Sequence, residues 1–351
     1  MEFWNKKKVL VTGHTGFKGS WLCLWLQKLG AEVVGYALEA PTSPSLFKLA
    51  KVDENMTSII NDIRNKEMLE NTIKEYKPEI VFHLAAQPLV RKSYDNPIET
   101  FEINVMGTAN LLDVTRSSEG VKVVINITSD KCYDNKEWLW GYRETDPMGG
   151  YDPYSCSKGC SELMTNSFRQ SYFNKKNIYL ASARAGNVIG GGDWAEDRLV
   201  PDIIKSLINN ESIYIRNPSA IRPWQHVLEP LNGYMMLAEA MWQHGDKYAE
   251  AWNFGPENNH VITVGEITER LTRMWLKNIE IKQESGNQPH EATLLRLDCS
   301  KAKLNLGWYT KLNLEDTLMW TIDWYKEFSL RNENMKKVTL NQIEIYESLG
   351  R

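Results

Sequence analysis

The 351-residue sequence predicts an α/β fold: a doubly wound parallel sheet followed by a smaller mixed C-terminal lobe. Three observations predict it. Short β-branched runs alternate with longer helical patterns, the runs are apolar throughout, and a glycine-rich turn joins the first run to the first helix. Strands apolar on both faces need cover on both faces, and parallel neighbours need right-handed crossover helices. The strand runs are Lys8–Thr12, Glu32–Tyr36, Ser58–Asp62, Ile80–Leu84, Lys122–Ser129 and Ile178–Ala183. Helical patterns fall between them at Phe17–Leu29, Lys66–Tyr76, Pro97–Ser117 and Pro153–Tyr172. After Ala185 the rhythm breaks. Gly186–Trp194 reads as a glycine-rich loop, Leu199–Asn209 as a helix and Ile213–Ile215 as a short strand. Helices return at Pro230–Trp242, Val264–Leu276 and Asn313–Phe328. The break divides the chain into units 1–185 and 186–351, with some later strands and helices returning to the first unit. The tail from Arg331 is polar and reads as a loosely packed appendage.

Composition excludes several function classes. Apolar residues make up 42% and charged residues 25%, as in ordinary globular proteins. With 41 Lys+Arg against 45 Asp+Glu and no basic block, neither nucleic acid nor an anionic membrane is the expected partner. No apolar stretch approaches the roughly 18–20 residues of a membrane helix, and the charged start Met1–Lys8 is no secretory leader. The five cysteines are odd in number and form no C-x-x-C pair, which argues against a disulfide scaffold or structural zinc site. Cys156 and Cys160, four apart on a helix, read as packing, and the six histidines show no metal-ligand spacing. The expectation is a cytoplasmic enzyme without a metal.

Gly13-His14-Thr15-Gly16-Phe17-Lys18-Gly19 follows the first strand and opens the first helix. Gly13 permits a tight turn, Gly16 lets backbone approach a pyrophosphate, and Gly19 lets helix pack on strand. Backbone N–H groups and the helix dipole suit an anion, and Phe17 and Lys18 belong to the same expected site. Further on, Tyr154-Ser155-Cys156-Ser157-Lys158 sets a phenol and an ammonium one helical turn apart, on one face. A lysine near a tyrosine favours the phenolate, which then takes a proton from a hydroxyl. The same spacing at Tyr172–Lys176 sits at a ragged Asn/Lys-rich helix end and is set aside.

The G-x-x-G-x-x-G spacing resembles the extended short-chain dehydrogenase/reductases, a Rossmann-like family. That resemblance implies a nicotinamide cofactor held by Gly13, Gly16, Phe17, Lys18 and Gly19. It also implies contacts from Asp62-Ile63, the small-residue turn Leu84-Ala85-Ala86, Asn104, Tyr154 and Lys158. Where the family carries an acid for the ribose this sequence has Ala37, with Glu39 as substitute; no arginine is nearby for a 2′-phosphate, so NAD is implied. Strand five ends in Thr128-Ser129-Asp130-Lys131-Cys132-Tyr133, which resembles the sugar-nucleotide 4,6-dehydratases. There Ser129 matches the hydroxyl that bonds the sugar oxygen at carbon 4, Asp130 the general acid and Lys131 the base. Thymidine-type dehydratases place Glu at the third position; Lys131 resembles the cytidine-type glucose enzymes. The implied activity is oxidation at carbon 4, loss of water across carbons 5 and 6, and reduction at carbon 6 of CDP-linked glucose. The alternatives are a sugar-nucleotide 4-epimerase, which needs neither Asp130 nor Lys131, and a dehydratase of another nucleotide sugar.

For the substrate diphosphate the resemblance implies Asn187, in Arg184-Ala185-Gly186-Asn187-Val188, and Arg222, where Pro223 replaces the acid of an R-D-W segment. Arg198 opens the helix expected under the nucleotide. Trp194, Trp224 and Trp252 are candidates to stack on a pyrimidine, although with 13 tryptophans each also reads as core. Helices 97–117 and 153–172 resemble the pair that joins related enzymes into a homodimer through a four-helix bundle.

Overall fold

The structure is a computed structural model that describes residues 2–257, 261–283, 294–331 and 333–350. Seven parallel strands form the central sheet: β1 (Lys8–Thr12), β2 (Glu32–Ala37), β3 (Thr57–Ile60), β4 (Ile80–His83), β5 (Val123–Ile127), β6 (Tyr179–Ala185) and, from the second half, β10 (Ala251–Phe254). Their order is β10-β6-β5-β4-β1-β2-β3. The order reverses between β4 and β1, and a crevice at the carboxyl ends of such strands is where doubly wound sheets bind ligands. The smaller strands are β7 (Asn187–Ile189), β8 (Ile213–Ile215), β9 (Ile221–His226), β11 (Val261–Thr263) and β12 (Ile281–Gln283). They make a three-stranded β11-β9-β7 sheet and a β12-β8 pair.

Helices α1 (Phe17–Lys28), α2 (Leu46–Leu49), α3 (Lys66–Tyr76), α4 (Val90–Asp95), α5 (Pro97–Phe101), α6 (Gly107–Arg116) and α7 (Pro153–Ser171) belong to the first half. Between α5 and α6 the helix widens into a π-turn over Glu102–Met106. The second half adds α8 (Leu199–Asn209), α9 (Leu228–His244), α10 (Val264–Trp275), α11 (Leu314–Ser329) and α12 (Met335–Ser348). The predicted Pro97–Ser117 helix is thus three consecutive helical pieces, and the glycine-rich loop contains β7.

The sheet is covered on both faces, so its strands are apolar on both. On one face Val9, Val11, Phe82 and Ile125 pack with α1 and α9 in a core that continues into the second half through Ile203, Ile267, Leu318 and Trp324. On the other, Leu10, Val81 and Val124 pack with Leu69, Leu111 and Leu112. Helix α1 is buried from Gly19 to Leu26 without a break, which requires a partner beyond the sheet. The tail supplies part of that cover, and this corrects the expectation of a loose appendage. Helix α12 buries Met335, Ile343 and Tyr346. Its Glu347 accepts from Trp25 Nε1 at 2.8 Å and from Lys28 Nζ at 2.6 Å.

Candidate active site

The glycine turn leaves β1 with Gly13 at φ +76°, its N–H donating to Tyr36 O at 2.9 Å. A Cβ on Gly13 would lie 2.7 Å from the Ala85 backbone N, and one on Gly19 would lie 2.1 Å from Gly13 O. Thr15 Oγ1 donates to Leu38 O at 2.8 Å, fastening the turn to the end of β2. Gly16 caps α1 without a side-chain acceptor, so the first N–H groups of α1 have no capping oxygen from it. A close backbone cradle with uncapped N–H donors fits a dinucleotide pyrophosphate.

Around the cradle, Ala85 N donates to Thr12 Oγ1 at 3.2 Å, which holds the Leu84-Ala85-Ala86 turn against β1. Asp62 follows β3 with its carboxylate on Arg64 Nη2 at 2.6 Å, and that pairing holds its carboxyl below the usual range. Ile63 is buried against Gly107. Ala37 ends β2, and Glu39 is exposed beyond it. Asn104 lies in the π-turn, buried. Its Oδ1 accepts from Gln87 N at 2.8 Å, and its Nδ2 donates to Gln87 O at 3.1 Å and Ser157 Oγ at 2.9 Å. Its amide therefore joins the turn after β4 to α7.

At the end of β5, Thr128 N donates to Ala183 O at 2.9 Å. Ser129 Oγ then accepts from Lys131 N at 3.2 Å and donates to Asp130 Oδ1 at 3.0 Å, shaping a tight helical turn over Asp130–Cys132. Asp130 is buried and Lys131 half-buried. A side chain on Gly186 would come within 2.9 Å of Asp130 Oδ2 and 3.7 Å of Pro223 Cγ. Gly186 thus makes room for the aspartate.

Opposite stands α7, capped by Asp152, whose Oδ1 accepts from Ser155 N at 2.9 Å. Burial pushes the Tyr154 phenol up to about 12, which corrects the expected phenolate; a hydrogen bond with the Ser129 side chain and the charge of Arg198, rather than Lys158, pull it down. Burial brings Lys158 down to about 8, opposed by Glu162 and Cys132. Its Nζ donates to Ile127 O at 3.5 Å. Lys18 is likewise brought to about 8, by burial and then by Lys158 and Arg198, with Asp130 and Asp193 opposing. Ser129, Asp130, Tyr154, Lys158, Lys18 and Arg198 therefore share one electrostatic neighbourhood.

Arg198 Nη1 donates to Asp193 Oδ2 at 2.8 Å just before α8. Asn187 and Arg222 lie half-buried on the adjacent strands β7 and β9, where Asn187 pairs with Trp224. Arg222 Nη1 donates to Ile221 O at 3.0 Å. Trp194, Trp224 and Trp252 are all buried in the core, so the pyrimidine-stacking expectation is corrected for each. Three residues of this region had no role in the sequence reading: Gly186 and Asp193, which lay inside stretches singled out for their neighbours, and the buried Glu162. Glu162 was detectable as a polar position at helical spacing from Lys158.

A dinucleotide cradle, a Tyr–Lys pair on one helix and a Ser–Asp–Lys turn beside it define an extended short-chain dehydrogenase/reductase. The family model described as GDP-mannose 4,6 dehydratase matches residues 10–321, and the chain belongs to that family. It is 54% identical over 351 residues to a CDP-glucose 4,6-dehydratase of Salmonella typhimurium, across 99% of this chain and 98% of that one. It is 24% identical over 335 residues to a dTDP-glucose 4,6-dehydratase of Haemophilus influenzae, covering 90% and 97%. Among solved structures, a dTDP-glucose 4,6-dehydratase of Bacillus anthracis in complex with NAD shares the fold at TM-score 0.77 and 21% identity, covering 95% of this chain and 99% of that one. A UDP-glucose 4-epimerase of Thermotoga maritima with UDP-glucose does so at 0.79 and 24%, covering 91% and 99%.

Proposed function

We propose that this chain is a CDP-D-glucose 4,6-dehydratase that binds NAD and forms CDP-4-keto-6-deoxy-D-glucose and water. The observation that carries the reading is the buried Asp130, bonded to Ser129 and acting on the same Tyr154 phenol that belongs to the redox pair. A 4-epimerase has no use for an acid and a base at carbons 6 and 5. The 54% identity to the Salmonella enzyme supports cytidine as the nucleotide.

The cradle at Gly13, Gly16, Phe17, Lys18 and Gly19 would hold NAD, with Asp62, Ile63, Leu84, Ala85, Ala86, Tyr154 and Lys158 along it and Asn104 fixing the wall behind. When bound, NAD supplies the hydride acceptor for carbon 4 and the donor for carbon 6. Tyr154 takes the proton of the carbon-4 hydroxyl while Ser129 holds that oxygen. The resulting ketone acidifies the carbon-5 hydrogen, which Lys131 removes as a proton and gives back to carbon 5 when carbon 6 is reduced. Asp130 gives a proton to the departing carbon-6 hydroxyl. Asn187 and Arg222 hold the diphosphate, a task to which the Arg222 guanidinium is suited, and Arg198 opens the helix under the nucleotide.

The chain works as two units, 1–185 for NAD and chemistry and 186–351 mainly for the nucleotide sugar. The homodimer is built from the 97–116 and 153–171 helices, which leave Ile98, Met106 and Leu163 exposed. No helix of the described residues is long and apolar enough to cross a membrane. The free cysteines are consistent with a cytoplasmic setting for deoxysugar synthesis.

The test is incubation with CDP-glucose carrying tritium at carbon 4, without added reductant. Tritium recovered at carbon 6 of a keto-sugar is expected; label left at carbon 4 or released to water overturns the reading. Parallel dTDP-, UDP- and GDP-glucose reactions decide the nucleotide.

A further inference from the structure

The inner face of α7 is polar along its length. Ser157, Lys158, Ser161, Glu162 and Thr165 are all buried there, at positions where a helix packed on a sheet ordinarily carries apolar residues. Buried polar groups persist where they are hydrogen-bonded. Asn126 Nδ2 donates to Ser161 Oγ at 2.9 Å and to Thr165 Oγ1 at 2.8 Å, tying α7 to β5. Glu162 binds more widely. Its Oε1 accepts from Thr128 Oγ1, and its Oε2 accepts from Ser182 Oγ at 2.7 Å and Arg184 Nη2 at 2.7 Å. Arg184 in turn donates through Nη1 to Tyr133 Oη at 2.7 Å, and Tyr133 donates to Asn253 Oδ1 at 2.8 Å. One carboxylate thus reaches both ends of the Ser129–Lys131 turn: Thr128 directly before it, and Tyr133 after it through Arg184. It also stands one helical turn beyond Lys158, on the same face.

We propose that Glu162 is the positioning residue that keeps the helix bearing Tyr154 and Lys158 in register with the turn bearing Ser129, Asp130 and Lys131. It acts through Thr128 and Arg184, and through its charge on Lys158. Burial pushes its carboxyl up, but Arg184 and the hydroxyls of Thr128 and Ser182 outweigh burial and hold it below the ordinary glutamate value. The charged carboxylate opposes the desolvation of Lys158. The other charged or titratable groups facing this pair are His83 from β4, Lys18 from α1, Cys132 from the turn, Arg184 from β6 and Arg169 from α7 itself. His83 is held neutral by burial. Lys18 and Arg184 are cations that cannot replace the carboxylate. Loss of the Glu162 charge therefore moves Lys158 toward its neutral form.

The test follows the Lys158 ammonium by the pH titration of its 13Cε resonance in lysine-labelled full-length protein, assigned with Lys158→Met. Glu162→Gln is expected to lower that midpoint by about one pH unit, and to move the limb of the kcat profile governed by Lys158 the same way. Glu162→Asp restores the midpoint while kcat stays reduced. A buried guanidinium left alone is costly, so Glu162→Gln/Arg184→Met serves where the single variant does not fold, with the same direction expected. Thr128→Val keeps the ion pair; it should lower kcat about tenfold and leave the titration unmoved. A folded Glu162→Gln variant that titrates like the parent overturns the electrostatic role, and a Thr128→Val kcat within about twofold of the parent overturns the positional one. The kcat arms rest on the dehydratase reading, whereas the titration does not. A parent protein that forms no keto-sugar therefore sinks that reading and leaves this proposal to be decided by resonance alone.

Discussion

Lys131 stands half-buried beside two buried residues, Ser129 and Asp130, in the turn that follows β5. Lys131→Ala removes the proposed base without touching the backbone hydrogen bonds of the turn. NAD and CDP-glucose binding should stay within a few-fold of the parent, while solvent deuterium exchange at carbon 5 falls roughly 10²–10⁴-fold. Exchange at the parent rate would assign the base elsewhere. The histidines make a separate case. Thr12 Oγ1 lies 2.7 Å from His83 Nδ1 and Thr108 Oγ1 lies 3.0 Å from its Nε2, and burial brings its pKa to about 3. Burial likewise brings His14 to about 4 and His226 to about 3. In the unfolded chain each binds its proton near pH 6.5. The unfolded state therefore holds more protons between that value and the folded ones, and stability falls as pH falls through this window. The loss is roughly 1.4 kcal/mol per pH unit for each histidine. Urea unfolding from pH 7 to pH 5 measures it, and His83→Gln should flatten the slope by about one proton.

Among the elements, the glycine turn and the last helix show opposite degrees of legibility. The turn was readable because its demands are local: Gly13 takes a positive φ, and a Cβ there would strike Ala85 N at 2.7 Å. Gly13→Ala should weaken NAD binding at least about a hundredfold and lower the melting temperature, since both dihedral and contact are violated. Calorimetric titration and a thermal melt check this together. Helix α12 was not readable from its own polar sequence. Its buried positions, Met335, Thr339, Gln342, Ile343 and Tyr346, follow helical spacing but include only three apolar side chains. The stronger signal lay in α1, whose run Gly19–Leu26 is buried on every side and needs a second cover. Ile343→Ala is therefore expected to cost about 2–4 kcal/mol of stability, measured as a shift of the denaturant midpoint. A loss below about 0.5 kcal/mol would mean that α12 docks only loosely.

At the scale of the whole molecule, Leu163, at 61% exposed, sits on the outer face of the helix whose inner face holds Tyr154 and Lys158. If the proposed dimer forms through this face, the parent should sediment as a dimer and Leu163→Glu as a monomer in sedimentation velocity; an identical sedimentation coefficient for the two overturns that assignment. The six first-half strands and the start of the helix bearing Tyr154 were legible because strand alternation, glycine spacing and a proline at a helix start are short-range features. The seventh strand, Ala251–Phe254, was not, because four residues say little until β6 is there to pair with. From sequence alone come the parallel sheet, the dinucleotide turn, the Tyr154/Lys158 spacing and the Ser129-Asp130-Lys131 run. Only the tertiary structure decided that Gly186 leaves space for Asp130, that Trp194, Trp224 and Trp252 are core, and that one glutamate joins the Tyr154/Lys158 helix to the Ser129–Lys131 turn. Periodicity records which face of an element is apolar, but the partner of a buried polar group lies at a distance in sequence that only the closed chain brings within hydrogen-bonding reach.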